Sequence, residues 1–432
     1  MREYARLTTE PVSTSLDCAQ VSVSAFDHLC TLNESVARGG ATLLQVEGRR
    51  WLKLDNYVGV VQTPCGTQLE ILPKHVEAED CVRKSRALLC KLIASALELP
   101  TREAGVADLE KFDVPLTEWV MARFIDALER LTKRGVRFDY QRVEEEQRFM
   151  RGQLNVVAQM RQPPGRQHFF HIRHDIFSPD RAENRLLKCA VARVLAATHN
   201  AESWRLANEL CVLLKDVPEC RDVAADFRVW RIDRNMAHYQ GVKPWCQLVL
   251  GDAMPLAVSG ESNGMCLLFP MERLFENYVA GWLRRQLMQD AKLKAQARFM
   301  SLCMHNGSSM FQLRPDILVQ QGGGTWVMDT KWKRIDRSVP SKKYGLSEGD
   351  FYQMFAYGHT YRAGAGQLAL IYPRWSSFTE PLVAFSMATR KEGNHGQELR
   401  LWVLPFNLDD ETEGLVVPQD AHFPFLRTTW PG

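Results

Sequence analysis

The sequence has no long apolar run, no closely spaced pair of cysteines and no strong charge of either sign. Across its 432 residues, no apolar run approaches the roughly 20 residues of a membrane span, and the N-terminus lacks the apolar core of a secretory signal. We therefore expect a soluble, cytoplasmic protein with no membrane partner. Eleven cysteines stand singly without a CxxC pair, which argues against disulfides and against zinc or iron–sulfur sites.

The formal net charge is only +3, which decides nothing about a nucleic-acid partner, because binding depends on where the cations cluster. The sequence also lacks the pattern G-x4-G-K-[ST], whose glycines and lysine hold nucleotide phosphates. We therefore expect that this chain does not hydrolyse nucleotides itself.

The length and the pattern of apolar residues indicate a multidomain α+β protein. A single hydrophobic core rarely grows beyond about 250 to 300 residues, so 432 residues predict two or three domains. Short β-rich apolar runs predict a mostly β N-terminal domain over residues 1–85. Helical spacing predicts a helical connecting domain over residues 86–260, and alternating helix and strand patterns predict an α/β domain over residues 261–432.

The α/β region contains two predicted strands joined by a glycine-rich turn. The strands read FQLRPDILVQ and TWVMDTKWKRI, and the QGGG between them predicts an antiparallel hairpin. Asp329 and Lys331 are two residues apart on the second strand, so their side chains project from one face, about 7 Å apart. The hairpin allows the carboxylate of Asp316, which follows Pro315 on the first strand, to approach Asp329.

Two carboxylates and a lysine are the groups that Mg²⁺-dependent cleavage of a phosphodiester requires. Mg²⁺ prefers oxygen ligands and commonly takes one or two carboxylates, while a nearby cation assists the attacking water. Asp316, Asp329 and Lys331 therefore predict a phosphodiester-cleaving centre. The residues alone leave two other interpretations open: Asp316 as a solvated turn residue, and Asp329 with Lys331 as a surface pair on an edge strand.

Two helices beside this hairpin carry further candidate residues. Glu272 and Glu276 lie four residues apart on the predicted helix MERLFENYVAGWLRRQLMQ, so they face one side, and Glu276 is the better candidate for a metal ligand. Gln353 and Tyr357 form a Q-x3-Y pair on one face of the later helix DFYQMFAYGHTY. The alternative to a metal ligand at Glu272 is an exposed helix charge. The alternative to a functional role for Gln353 and Tyr357 is ordinary helix packing.

The order of helix Glu, Pro-Asp, Asp-x-Lys and Q-x3-Y resembles the PD-(D/E)xK nucleases, and the last motif resembles the RecB-type nucleases. The resemblance implies a restriction-endonuclease-like C-terminal domain that cleaves DNA with Mg²⁺. Asp316, Asp329 and Glu276 would then be the metal ligands. The implied catalytic residues are Asp316, Asp329, Lys331, Glu276, Gln353 and Tyr357.

Three further segments, at residues 69–74 (LEILPK), 140–152 and 180–184, resemble the McrC family of McrBC restriction systems. The resemblance implies an endonuclease subunit that works with an McrB-like AAA+ GTPase hexamer. The partner would bind GTP and recognise double-stranded DNA carrying modified, methylated cytosine. The N-terminal β domain would insert into the motor ring and stimulate GTP hydrolysis, and the C-terminal third would cut the DNA.

Basic residues surround the proposed centre, as a groove that follows DNA phosphates requires. The expected DNA contacts are Lys333, Arg334, Lys342 and Lys343, with further cations at Arg284, Arg285 and Arg337. A solvated basic face is the alternative.

Two other functions remain open at this point. A stand-alone repair nuclease of the RecB type would cut without a motor partner. A degenerate nuclease domain would act only as a catalytically silent activator of an AAA+ motor, although the intact Asp316, Asp329 and Lys331 argue against it.

Overall fold

The computed structural model describes residues 1–37, 42–48, 50–75, 81–97, 114–231, 234–251, 266–387, 398–410 and 412–427. The chain divides into two compact units. Unit 1 combines Met1–Asp113 with Leu268–Gly432, and unit 2 is Val114–Leu267. The structure confirms a mixed α/β protein with several sheets, while the division at residues 85 and 260 stays a prediction. No helix in the described part of the chain is both long and apolar enough to cross a membrane.

The N-terminal part of unit 1 contains two small sheets and two helices. One sheet has the strand order β2-β1-β4-β3, and β5 and β6 form a second sheet with β10. The bounds are β1 (Arg6–Thr8), β2 (Cys18–Gln20), α1 (Val23–Ala37), β3 (Leu44–Glu47), β4 (Trp51–Leu54), β5 (Tyr57–Gln62), β6 (Gln68–Ile71), α2 (Cys81–Ala96) and β10 (Cys266–Pro270).

Helix α1 was not part of the predicted mostly β domain. Its buried residues are Ala25, Leu29, Leu32 and Val36, whose spacing of three and four places them on one helical face. Polar residues such as His28 and Asn33 lie between them. In the sequence, the helical spacing of these apolar residues is therefore hard to distinguish from short apolar runs. The N-terminal part therefore combines α and β structure.

The C-terminal part of unit 1 is built on a six-stranded sheet with the order β11-β14-β15-β16-β18-β17. Strand β15 pairs antiparallel with β14 and parallel with β16, and β16 pairs parallel with β18. The bounds are α9 (Met271–Gln286), β11 (Lys292–Ala295), β12 (Ser301–His305), β13 (Ser308–Gln312), β14 (Ile317–Gln321), β15 (Gly324–Thr330), α10 (Glu348–Arg362), β16 (Gly366–Pro373), β17 (Phe385–Met387) and β18 (Leu399–Phe406).

The predicted hairpin is confirmed. Gly322 and Gly323 form its turn with φ values of 53° and 80°, which glycine adopts without the strain of a side chain. The predicted first strand, however, is two strands. Residues 308–312 pair with β12 in a separate ribbon, and β14 begins only after Pro315. Phe311 has a φ of 57°, and Pro315 lacks a backbone N–H, so a continuous strand does not form there.

Unit 2 contains helices and one three-stranded sheet, in which β9 (Phe170–Ser178) lies between β7 (Asp139–Gln147) and β8 (Gln153–Leu154). The interpretation of residues 86–260 as helical did not include this sheet. Strand β7 reads DYQRVEEEQ and none of its residues is buried, so it carries no apolar alternation that reveals a strand. The bounds are α3 (Leu116–Arg134), β7 (Asp139–Gln147), β8 (Gln153–Leu154), α4 (Val156–Met160), β9 (Phe170–Ser178), α5 (Ala182–Ala197), α6 (Ala201–Leu213), α7 (Val223–Val229) and α8 (Lys243–Leu250).

Within unit 1, Glu3 joins the N-terminal residues to the segment that follows β15. Its Oε1 accepts hydrogen bonds from the backbone N of Lys74 at 2.7 Å and from Nε1 of Trp332 at 2.9 Å. The side chain is buried, and this burial raises the pKa of Glu3 to about 7, although Lys74, Trp332 and Arg334 lower it. The N-terminal residues therefore pack with the sheet that carries the predicted centre.

The burial of Glu3 predicts that the stability of the folded protein falls as the pH rises. Between pH 4.5 and about 7, folded Glu3 keeps a proton that the unfolded chain has released, so a higher pH favours unfolding. The free energy of unfolding should fall by up to about 3 kcal/mol through this group across that range. Chemical denaturation at several pH values should show a flatter dependence for Glu3→Gln than for wild type. Equal pH dependence in both proteins would contradict the burial of an ionisable Glu3.

Candidate active site

Asp329 and Lys331 lie at the carboxyl end of β15, inside the six-stranded sheet. Asp329 is only 1% exposed, and its Oδ2 lies 2.7 Å from Nζ of Lys331. Lys331 follows the last residue of β15, and its backbone N donates to the carbonyl of Ile371 at 2.9 Å, which extends the pairing with β16. Because β15 lies between β14 and β16, the interpretation as a surface pair on an edge strand is wrong.

Asp316 is held against the end of the same strand. Its Oδ2 accepts hydrogen bonds from the backbone N and from Oγ1 of Thr330, both at 2.8 Å. Asp316 immediately precedes β14, and Ile317 pairs with Met328 in the hairpin. The hairpin thus places the carboxylate of Asp316 beside the residue that follows Asp329, and Asp316 is not a freely solvated turn residue.

Gln296 links Asp316 to the helix glutamate Glu276. Its Nε2 lies 3.2 Å from Oδ1 of Asp316 and also donates to Oε1 of Glu276. Its backbone N donates to the carbonyl of Asp316 at 2.9 Å, and its φ is 49°. Glu276 is 6% exposed, whereas Glu272 is exposed to solvent. Sequence reasoning missed Gln296, because only the pairing of β11 with β14 brings it here.

The Q-x3-Y pair contacts the candidate lysine. Oε1 of Gln353 accepts a hydrogen bond from Nζ of Lys331 at 3.1 Å, and Nε2 of Gln353 donates to the hydroxyl of Tyr357 at 2.8 Å. Oδ1 of Asp350, a second residue that sequence reasoning missed, lies 3.7 Å from the same Nζ. The structure therefore joins Lys331, Gln353 and Tyr357 in one hydrogen-bonded chain.

The carboxylates of the site hold more negative charge than the one lysine neutralises. Burial, together with the charge of Asp316, raises the pKa of Asp329 to about 7, against the opposing effect of Lys331. Burial and Asp316 likewise raise the pKa of Glu276 to about 7. Burial disfavours the charged form of Lys331, but Asp329, Asp350 and Asp316 outweigh this effect and raise its pKa. The lysine stays charged, and the carboxylates attract a further cation or a proton.

The carboxylates at the hairpin fit a divalent cation. Oδ1 of Asp329 is buried and has no hydrogen-bond partner among the described residues, which is unfavourable for a carboxylate unless a cation or proton binds there. Within the same described ranges, no three His, Cys, Asp or Glu side chains form a complete metal site. Mg²⁺ needs only one or two carboxylates beside water and substrate, which Asp329 and Asp316 can supply. Glu276 as a third ligand stays a prediction.

The basic residues expected to contact DNA have different surroundings. Lys333 and Lys342 are exposed. The guanidinium of Arg334 lies 3.2 Å from the ring centroid of Trp375 and donates to the carbonyl of Lys74 at 2.9 Å, so it has a structural role. Lys343 pairs with Glu348. Of these four residues, Lys333 and Lys342 are therefore exposed without contacts of this kind. Lys333 is the nearer of the two to Lys331 in sequence.

For the DNA cleavage that the sequence predicts, replacing Gln353 by Leu should lower the rate about 10- to 100-fold, because supporting hydrogen bonds of this kind would hold the predicted catalytic Lys331 in position. Tyr357→Phe keeps the ring and removes only the outer hydroxyl, so its effect should be smaller. Cleavage rates of both variants against pH check this prediction, since a displaced Lys331 alters the pKa of Asp329 as well as the rate. A rate and pH profile for Gln353→Leu equal to those of wild type would contradict the proposed positioning.

The model of the family described as the McrBC 5-methylcytosine restriction system component matches residues 52–373 of the chain. The chain belongs to this family. The predicted resemblance to McrBC systems is thereby confirmed at the level of the family. A search of the curated proteins finds no match.

Two solved structures from Thermococcus gammatolerans contain chains that resemble this McrBC family member. The first is described as the refined half-complex from a tetradecameric assembly of McrB AAA+ hexamers with bound McrC. Its chain is 16% identical, with a TM-score of 0.68 and 94% of each chain covered. The second is described as the cryo-EM structure of the McrBC complex. It is 19% identical, with a TM-score of 0.51, and covers 66% of this chain and 86% of that chain. Both show a shared fold.

Proposed function

We propose that the chain is the endonuclease subunit of an McrBC-type restriction system and hydrolyses DNA phosphodiesters with Mg²⁺. The observation that carries this proposal is the buried Asp329 at the end of an interior strand. Its Oδ1 has no hydrogen-bond partner among the residues that the structure describes, and a lysine lies 2.7 Å from its Oδ2. A buried carboxylate in that setting destabilises the fold, so stability does not explain why it is there. A role in the reaction does.

Each side chain of the site has a distinct part in the proposed reaction. Asp329 and Asp316 would hold Mg²⁺, which when bound neutralises charge on the phosphoryl oxygens and makes a water more acidic. The ammonium of Lys331 orients the attacking water and stabilises negative charge that develops during attack. Gln353, fixed by Tyr357, keeps that ammonium in place. Gln296 restrains Asp316 and Glu276.

The likeness to chains from McrB–McrC assemblies supports a motor partner for this chain. We propose that the chain binds an McrB-like AAA+ GTPase hexamer and stimulates GTP hydrolysis by it. The lack of G-x4-G-K-[ST] in this sequence fits a division in which the partner binds GTP. Recognition of methylated cytosine in double-stranded DNA would then belong to the partner. The assignment of partner binding to residues 1–85 stays a prediction.

Plasmid cleavage tests the proposal. Methylated and unmethylated plasmids are incubated with the full chain, an McrB-like partner, Mg²⁺ and GTP, and each component is omitted in turn. We expect cleavage of methylated DNA only when all components are present. Cleavage without partner and GTP would indicate a stand-alone nuclease of the RecB type. Stimulated GTP hydrolysis without any cleavage would indicate a catalytically silent activator, and either result would contradict the proposal.

A further inference from the structure

A cavity of about 270 Å³ opens in unit 1 beside the candidate active site. Its wall begins at Trp332 and Lys333, the two residues that follow Lys331, and it also includes Pro373 at the end of β16. Consecutive Cα atoms are about 3.8 Å apart, so Lys333 is at most about 8 Å from Lys331 along the backbone. We call this space the aromatic cavity, lined by Glu3, Tyr4, His75, Trp332, Lys333 and Trp375.

Several rings line the aromatic cavity, and Arg334, which also lines it, covers one face of Trp375 with its guanidinium at 3.2 Å from the ring centroid. The ring of His75 lies 6.0 Å from that of Trp332 and 5.7 Å from that of Trp375. Tyr4 is 41% exposed although it is a large aromatic residue, and its φ of 63° is strained for a residue with a side chain. Strain of this kind persists where the surroundings enforce it, often at binding sites. Planar rings around a small cavity favour a planar ligand.

Two polar groups of the cavity lack partners that a planar ligand can supply. Oε2 of Glu3 is buried and has no hydrogen-bond partner among the described residues, so a ligand would satisfy it with an N–H donor when Glu3 is ionised, or with a ring nitrogen or carbonyl oxygen when Glu3 is protonated. Lys333 is exposed, and its ammonium contacts no acid in the part of the chain that the structure describes. A nucleobase offers both a ring and N–H donors, and its phosphate matches the lysine. A fatty chain leaves Glu3 unsatisfied, and a bare phosphate does not use the rings.

We propose that the aromatic cavity binds a single unstacked nucleobase together with its attached phosphate. The inference rests on the proposed function for the source of the base, which is the DNA strand that Lys331 helps to cut. A base held in this way fixes the register of the strand, so that a neighbouring phosphate lies at Asp329 and Lys331. Removing a base from the stack requires only a few kcal/mol, which stacking on aromatic side chains offsets.

Fluorescence of 2-aminopurine, which is quenched by stacking, tests the inference on the full chain without metal, so that no cleavage occurs. One probe is a single-stranded oligonucleotide with one 2-aminopurine, and the other is the deoxynucleoside monophosphate of the same base. We expect saturable quenching by wild type. Trp375→Ala should weaken binding at least about fivefold, whereas Trp375→Phe should retain most of it.

Lys333→Ala provides a variant whose exposed position does not threaten the fold, and it should weaken binding about two- to tenfold through the phosphate. Lys292→Ala is the matched control, because Lys292 is an exposed lysine on β11 outside the cavity, and it should bind as wild type does. Quenching that is absent, or equal in wild type, Trp375→Ala and Lys333→Ala, would overturn the inference.

The two probes assign the source of the base. Tighter binding of the oligonucleotide supports a DNA strand, and equal binding of the monophosphate supports a free nucleotide in the same cavity. Failure of the inference is separable from failure of the proposed function. Quenching without plasmid cleavage would refute only the nuclease, and normal cleavage without quenching would refute only the cavity.

Discussion

Replacing Asp329 by Asn should abolish DNA cleavage and leave the fold intact. Asn keeps the size of the side chain but removes the negative charge that a divalent cation requires. Metal-assisted charge stabilisation contributes several kcal/mol to the transition state, and about 1.4 kcal/mol corresponds to a factor of ten, so the rate should fall at least about 1000-fold. Rates of plasmid cleavage with partner, GTP and Mg²⁺ measure this loss.

The matched control for this variant is Asp420→Asn, because Asp420 is an exposed aspartate in the same unit of the chain. It should cut at the wild-type rate. Asp329→Asn should also unfold at the same temperature as wild type or higher, since it removes a buried charge whose burial is unfavourable. Stimulation of the partner's GTP hydrolysis should persist. Loss of both cleavage and stimulation in a folded Asp329→Asn protein would count against a separate cutting centre.

Replacing Lys331 by Met should slow cleavage about 100- to 1000-fold, as expected for the loss of one group that stabilises charge in the transition state. The residual activity should reach its plateau at a higher pH than that of wild type. Lys331 lowers the pKa of Asp329, so its removal raises that pKa, and the carboxylate ionises only at a higher pH. Cleavage rates measured from about pH 6 to about pH 9 give this profile.

Lys342→Met is the control for the lysine, because Lys342 is exposed and lies outside the hydrogen-bonded chain of the site. It should affect DNA affinity at most modestly and leave the pH profile unchanged. A Lys331→Met protein that cuts at the wild-type rate, or whose pH profile equals that of wild type, would show that the ammonium has no part in the reaction.

The local features of the centre could be predicted from the sequence because they depend on neighbours along the chain. The spacing of Asp329 and Lys331, the glycine turn and the position of Asp316 follow from strand periodicity and turn chemistry. The contact of Gln353 with Tyr357 follows from the spacing of four residues on a helix. These contacts need no knowledge of the rest of the fold.

The features that were missed depend on distant contacts or on polar strands. Gln296 reaches Asp316 only through the register of β11 and β14. The contact of Asp350 with Lys331 depends on how α10 packs on the sheet. The hydrogen bond between Glu3 and Trp332 joins residues 329 positions apart in sequence, so no local pattern reveals it. Strand β7 of the β7-β9-β8 sheet has no alternation of buried and exposed residues, so its sequence lacks the usual signal of a strand.

Binding of Mn²⁺ to the 432-residue chain, followed by electron paramagnetic resonance, most directly tests whether Asp329 and Asp316 form a metal centre. Mn²⁺ accepts the same oxygen ligands as Mg²⁺ and gives a signal that falls when the ion binds. Wild type and Asp420→Asn should each bind Mn²⁺ at a site that Asp329→Asn loses. Equal Mn²⁺ binding by all three proteins would contradict the proposed centre.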